Sequence, residues 1–158
     1  MEYNSNTPVV DMPMKWHKFL IYFSLWASMV MNVLNAFMMF NGSQYGGESE
    51  ARMVYNYFDG LKGLDIFMGV AFIVMAVFAI VTRFSLAKYQ AKGPKLLMAA
   101  YALNAALPLI YLLLASSMIG MELGQVMDSS TISSIVTSVV MIFANRTYYN
   151  NRAHLFVN

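Results

Sequence analysis

The chain has 158 residues, 59% of them hydrophobic and 11% charged, with a mean hydropathy of +0.54 and a formal net charge of +2. A soluble domain carries about 25% charged residues; here charge is too scarce to cover a water-facing surface, and the apolar residues fall in long runs, the pattern of a polytopic membrane protein. The absence of cysteine excludes disulfides, thiolate metal sites and a cysteine nucleophile.

The opening stretch MEYNSNTPVVDMPM lacks the basic start of a signal peptide, and the apolar run behind it is too long for a signal h-region, so that run is expected to be retained. It covers residues 19–40, flanked by Lys15, Trp16 and Lys18, and at ~1.5 Å per residue it reaches ~33 Å, enough for one crossing. The connection after it is the longest, and its residues 49–58 predict a short helix lying at the interface on Tyr55, Tyr57 and Phe58. A second span is expected over 61–81, ended by Thr82-Arg83. Gly93-Pro94 then breaks the chain before a third span over 96–121.

The fourth span, 131–149, is the least apolar. Ser129-Ser130 offers it an N-cap, Tyr148 and Tyr149 form an interfacial belt, and the charge distribution requires it. Lys15, Lys18, Arg83, Lys88, Lys92, Lys95, Arg146 and Arg152 lie on one side of a four-span arrangement, whereas only Arg52 and Lys62 lie on the other. Basic residues near span ends are retained in the cytoplasm. The expected fold is therefore all-α: an antiparallel four-helix transmembrane bundle, one domain over 1–158, with both termini cytoplasmic.

Polar residues recur at helical spacing in these spans. Ser28, Asn32 and Asn35 share a face of the first; Asn104, Pro108 and Tyr111 share one of the third with Tyr101; Ser134, Ser138 and Asn145 mark the fourth. Two roles fit such stripes: packing contacts between helices, or a polar pathway along the bundle axis. Pro108 lacks an N–H and frees the Asn104 carbonyl, which predicts a kink there, with Asn145 as the first partner to consider. Asp65, near the outer end of the second span, is expected to form an interfacial ion pair with Lys62.

No nucleophile, base and orienting group converge, so no catalytic residue is assigned. His17 and His154 lie at opposite ends, the methionines are scattered rather than paired at one depth, and no metal or cofactor is expected. The basic residues sit against the membrane without a stacking platform, so nucleic acid is not an expected partner. The lipid bilayer is, together with self-association or another membrane protein.

The pieces KWHKFLIYFSLW, GLKGLDIFMGV, VTRFSLAKYQAKGP, YALNA and NRTYYNNRAHLFVN resemble those of a loose group of small four-span membrane proteins from anaerobic gut Firmicutes. In that group the last span ends in Asn-x-x-Tyr-Tyr/Phe followed by Arg-x-His/Lys-Leu-Phe, here Asn145, Tyr148, Tyr149, Arg152, His154, Leu155 and Phe156. The resemblance implies a bacterial plasma membrane and carries no activity. The expected function is non-enzymatic, as an accessory, sensor or immunity-type component acting through helix–helix or protein–protein contacts. The alternative is a small oligomeric channel or transporter.

Overall fold

The structure, a computed structural model, describes residues 13–127 and 129–157, and every regular element among them is helical. α1 runs over Lys15–Asn41, α2 over Glu48–Tyr57, α3 over Leu61–Ala87, α4 over Gly93–Ile119, the short α5 over Leu123–Val126 and α6 over Ser129–Asn150. The long helices overrun the apolar runs at the ends rich in Lys and Arg, because such side chains lie along a helix while their charges reach water. Gly93-Pro94 does not break the chain before α4 but forms its first turn, where no N–H donor is needed and the fixed φ of proline suits the helix.

α1, α3 and α4 are each long and apolar enough to cross a membrane. α6 has 22 residues but carries Ser129, Ser130, Thr131, Ser133, Ser134, Thr137 and Ser138 in its first half and is less apolar. Large side chains such as Phe23, Phe37, Val74 and Phe143 point outward, each more than 60% exposed. Apolar exposure this extensive suits lipid and not water.

α3 is the central helix. It packs on α1 along one side and on α4 along the other, and α6 packs on the far side of α4. Burial follows this order: the most apolar stretch of α3 is 44% buried, that of α1 28% and that of α4 only 11%. One apolar cluster joins Leu20, Ile21 and Leu25 of α1 to Ala79 and Leu86 of α3, Leu97 of α4 and Tyr149 of α6. A second, at the opposite end, joins Ala36 to Leu61, Leu64, Met68 and Phe72.

The α1 helix is not uniform. Its turn over Leu20–Ser24 is π-helical, and such a turn misaligns a carbonyl from its usual donor. Arg83 of α3 bonds to this turn: its Nε donates to the Ile21 carbonyl at 3.0 Å. The same guanidinium lies 4.9 Å from the centre of the Trp26 ring, so a cation–π contact anchors it there. α4 runs without interruption through Pro108.

Candidate functional site

The connection between α1 and α3 folds back over the end of α3. Gly42 ends α1 with φ +73°, its N–H donating to the Met38 carbonyl at 3.0 Å. That left-handed conformation favours glycine, and Ala51 of α2 fills the space a Gly42 side chain would need. The tight turn places Gln44 and Tyr45 directly over Asp65. α2 then brings Tyr55 in from the other side, while its Met53 and Tyr57 stay exposed.

Asp65 is fully buried. Its Oδ2 accepts from Gln44 Nε2 at 2.8 Å, from the Tyr45 hydroxyl at 3.0 Å and from the Tyr55 hydroxyl at 2.8 Å. Its Oδ1 accepts from the Tyr111 hydroxyl of α4 at 2.9 Å. A buried carboxylate without compensation is very costly, and four donors on two oxygens, none of them charged, are what compensate it here. The Tyr45 and Tyr111 hydroxyls also approach each other at 3.2 Å. When both donate to Asp65, no hydrogen is left for that last contact.

Burial, above all, raises the pKa of Tyr45; the adjacent Tyr111 hydroxyl opposes the rise and the Asp65 charge adds to it. Tyr55 is raised by burial, by its bond to Asp65 and by the Asp65 charge. Both hydroxyls therefore stay protonated at neutral pH and remain donors to the carboxylate.

The expected Asp65–Lys62 ion pair does not form. Lys62 is exposed, and the ion pair found among the described residues joins Glu48 to Arg52 at 2.5 Å on the surface of α2. Asp65 lies on the buried face of α3 with both oxygens taken by neutral donors, whereas Lys62, on the neighbouring face, stays in the exposed part of the helix. The expectation for α2 changes too: it forms, but Tyr55 turns inward to the carboxylate and not toward the interface.

Beside the cage lies a cavity of about 480 Å³, lined by Met39, Gln44, Tyr45, Met68, Phe72, Pro108, Tyr111, Leu112 and Thr131. Every long helix contributes to it. Gln44 Oε1 is buried without a hydrogen-bond partner. Its orientation is fixed, since only the amide nitrogen can donate to the carboxylate.

A second polar cluster occupies the opposite end of the molecule. The Trp16 indole donates to Asn145 Oδ1 at 3.0 Å, and Asn145 Nδ2 donates to the Met141 carbonyl at 2.7 Å. His17, fully buried, lies 3.0 Å through Nδ1 from the Tyr149 hydroxyl, and its ring packs against those of Tyr89 and Phe156. Tyr89 adopts φ +52°, uncommon for an aromatic residue, and this turn aims its ring at His17. These contacts tie the start of α1 to the end of α6.

The remaining sequence-selected residues divide clearly. Tyr111 reaches the cage and Pro108 lines the cavity. Asn32 is buried, but its amide donates to the Ser28 carbonyl of its own helix at 2.8 Å. Asn35 and Asn104 are half-buried, and Asn145 bonds Trp16, not the Asn104 it was expected to meet. Ser138 is buried whereas Ser134 is exposed, so Ser134 does not belong to a polar interior. The sequence singles out neither Gln44 nor Tyr45 and places Tyr55 at the interface; the one available sign of the cage is the density of tyrosines in the loop preceding Asp65. Among the described residues no three His, Asp or Glu side chains gather to hold a metal ion. Compared with protein-family models, curated proteins and solved structures, the chain matches none.

Proposed function

We propose that this is a small four-span membrane protein, with both termini cytoplasmic, that has no catalytic activity and works through contacts with a second membrane helix. The observation that carries this reading is the hydroxyl face of α6. Ser130, Ser134 and Thr137 follow i, i+4, i+7 spacing and are all exposed, on a helix otherwise flanked by outward Ile132, Val136 and Val140. Small hydroxyl-bearing residues let transmembrane helices approach closely and bond across the contact. The low burial of α4, the neighbour of α6, leaves room for a partner on that side. Charge placement supports the orientation, and the resemblance to small Firmicutes membrane proteins supports a bacterial plasma membrane.

A polar route through the helices has less behind it. Asn32 and Asn145 each satisfy an amide group on their own helix, and the Asp65 oxygens are filled by protein donors. The test uses the absence of native cysteine. A photoreactive group attached at Ser134→Cys in native membranes should capture protein, its own chain or a partner, in an adduct of higher mass. The same group at Val74→Cys, on the outward face of α3, should capture lipid only. Equal behaviour at the two positions contradicts the reading. Saturable solute flux in liposomes, abolished by Asn32→Leu, would favour a channel or transporter instead.

A further inference from the structure

Arg83 is held at three points, yet its charge is left unmatched. Its Nε donates to the Ile21 carbonyl at 3.0 Å, and its guanidinium lies 4.9 Å from the centre of the Trp26 ring and 5.1 Å from that of Phe84. The residue is half-buried. Nη1 and Nη2 make no hydrogen bond to a described residue, and both reach the molecular surface, whereas Arg152 Nε is buried without a partner. These two nitrogens form an edge that holds a carboxylate or phosphate through paired bonds. No protein carboxylate answers them. Residues 13–47, 66–121 and 129–157 contain no Asp or Glu, and the ion pair found among the described residues joins Glu48 to Arg52 on α2. Ile21 and Trp26 lie about 4.5 and 12 Å beyond Lys18 along α1, at ~1.5 Å per residue, within its apolar run. A cation at the border of hydrocarbon is costly unless an anion joins it there.

A groove begins at the same tryptophan. Tyr22, Trp26 and Val30 form one ridge of α1, and Phe23, Ala27 and Met31 form the next, each at i, i+4, i+8 spacing. The small Ala27 opens a gap between them, a shallow apolar cavity of about 380 Å³ that all six residues line. Tyr22 and Phe23 are each more than 60% exposed, so no described part of the chain covers it. The lining suits an acyl chain, and the cation beside Trp26 favours a chain that carries an anion. Trp26 belongs to both features, so one molecule can span them.

We propose that Arg83 and the α1 groove together bind an anionic phospholipid, its phosphate paired with Nη1 and Nη2 and one acyl chain lying in the gap over Ala27. An ethanolamine or choline headgroup brings its own cation, for which this end offers no acidic partner among the described residues. A headgroup of net negative charge is therefore selected. The site is independent of the α6 contact face, and failure of either leaves the other standing.

The test is native mass spectrometry of the full chain in detergent with three lipids of identical acyl chains: phosphatidylglycerol, phosphatidylethanolamine and diacylglycerol. The first phosphatidylglycerol should bind more tightly than the first phosphatidylethanolamine by about tenfold or more, and diacylglycerol more weakly than both. Arg83→Lys keeps the charge but loses the planar pair of nitrogens, and should remove most of that preference. Lys92→Gln takes a charge from the same end and should leave the preference intact, which separates a built site from a general basic field. Ala27→Phe fills the gap on an outward face without touching Arg83. It should weaken phosphatidylglycerol binding by about tenfold while the unfolding midpoint stays unchanged. Equal binding of phosphatidylglycerol and phosphatidylethanolamine, equal losses at Arg83→Lys and Lys92→Gln, or full binding by Ala27→Phe overturns the assignment.

Discussion

At Asp65 three tyrosines from three different segments meet one carboxylate, and each hydroxyl is placed to be tested singly. Hydrogen bonds to a charged group contribute about 1.5–3 kcal/mol. Tyr55→Phe, which removes one donor and almost no volume, should therefore lower stability by about that amount in a denaturing-detergent titration of the micelle-bound protein. The neighbouring Tyr57→Phe, at an exposed position, should change nothing measurable. Titration gives a second check. In the folded state Tyr45 and Tyr55 are held above the ordinary tyrosine value, about 10. Their contribution is present in full below that value and is lost as pH rises through the folded-state values, because the unfolded chain ionises first. Thermal midpoints should thus be insensitive to these groups between neutrality and about pH 10, then fall. Replacing both tyrosines by Phe should flatten that alkaline fall. None of the cage partners of Asp65 was legible beforehand except Tyr111. They lie between 10 and 46 residues from it in sequence, and a local spacing rule finds Lys62 first. The rule failed because α3 buries one of those positions and exposes the other.

Among the helices and turns, the apolar runs were read correctly as helices, because a run of about twenty apolar residues allows little else. Their Lys- and Arg-rich ends extend beyond the apolar runs, since apolarity fades where Lys and Arg begin while helical hydrogen bonding continues, whereas α4 stops at Ile119, before the expected 121. The interior facing of α6 was harder. Its hydroxyl residues occur on more than one face, so spacing alone could not separate buried Ser138 from exposed Ser134. Glycines make the clearest tests at this level. Gly42→Ala combines an unfavourable positive φ with a side chain driven into Ala51, and should cost about 1 kcal/mol or more. Gly63→Ala lies in α3 with nothing within 4 Å of the added carbon, and should gain about 0.5–1 kcal/mol by helix propensity. The same detergent titration reads both signs. At the other end, Trp16→Phe leaves the fully buried Asn145 without its donor. It should cost about 1–3 kcal/mol and loosen α6 from α1 before it disturbs the α1–α3 pair.

For the whole molecule, two polar clusters fasten opposite ends of the helices, and apolar packing fills the length between them. The Asp65 cage joins the first connection to α3 and α4; the Trp16–His17 cluster joins α1 to α6. Such a layout gives a small bundle a fixed arrangement in lipid, where apolar surfaces alone discriminate poorly between packings. It also leaves one hydroxyl-bearing helix face, on α6, free to meet a partner. That α6 crosses the membrane is the premise on which this rests. Its composition is the weakest of the four, and the distribution of basic residues is its main support. Single cysteines introduced by Glu50→Cys, Lys92→Cys and Asn151→Cys, probed with a membrane-impermeant maleimide in intact cells, test that premise most directly. Glu50→Cys should label at once, and Lys92→Cys and Asn151→Cys only after the membrane is permeabilised. Labelling of Asn151→Cys in intact cells, with Lys92→Cys still protected, would contradict the fourth crossing.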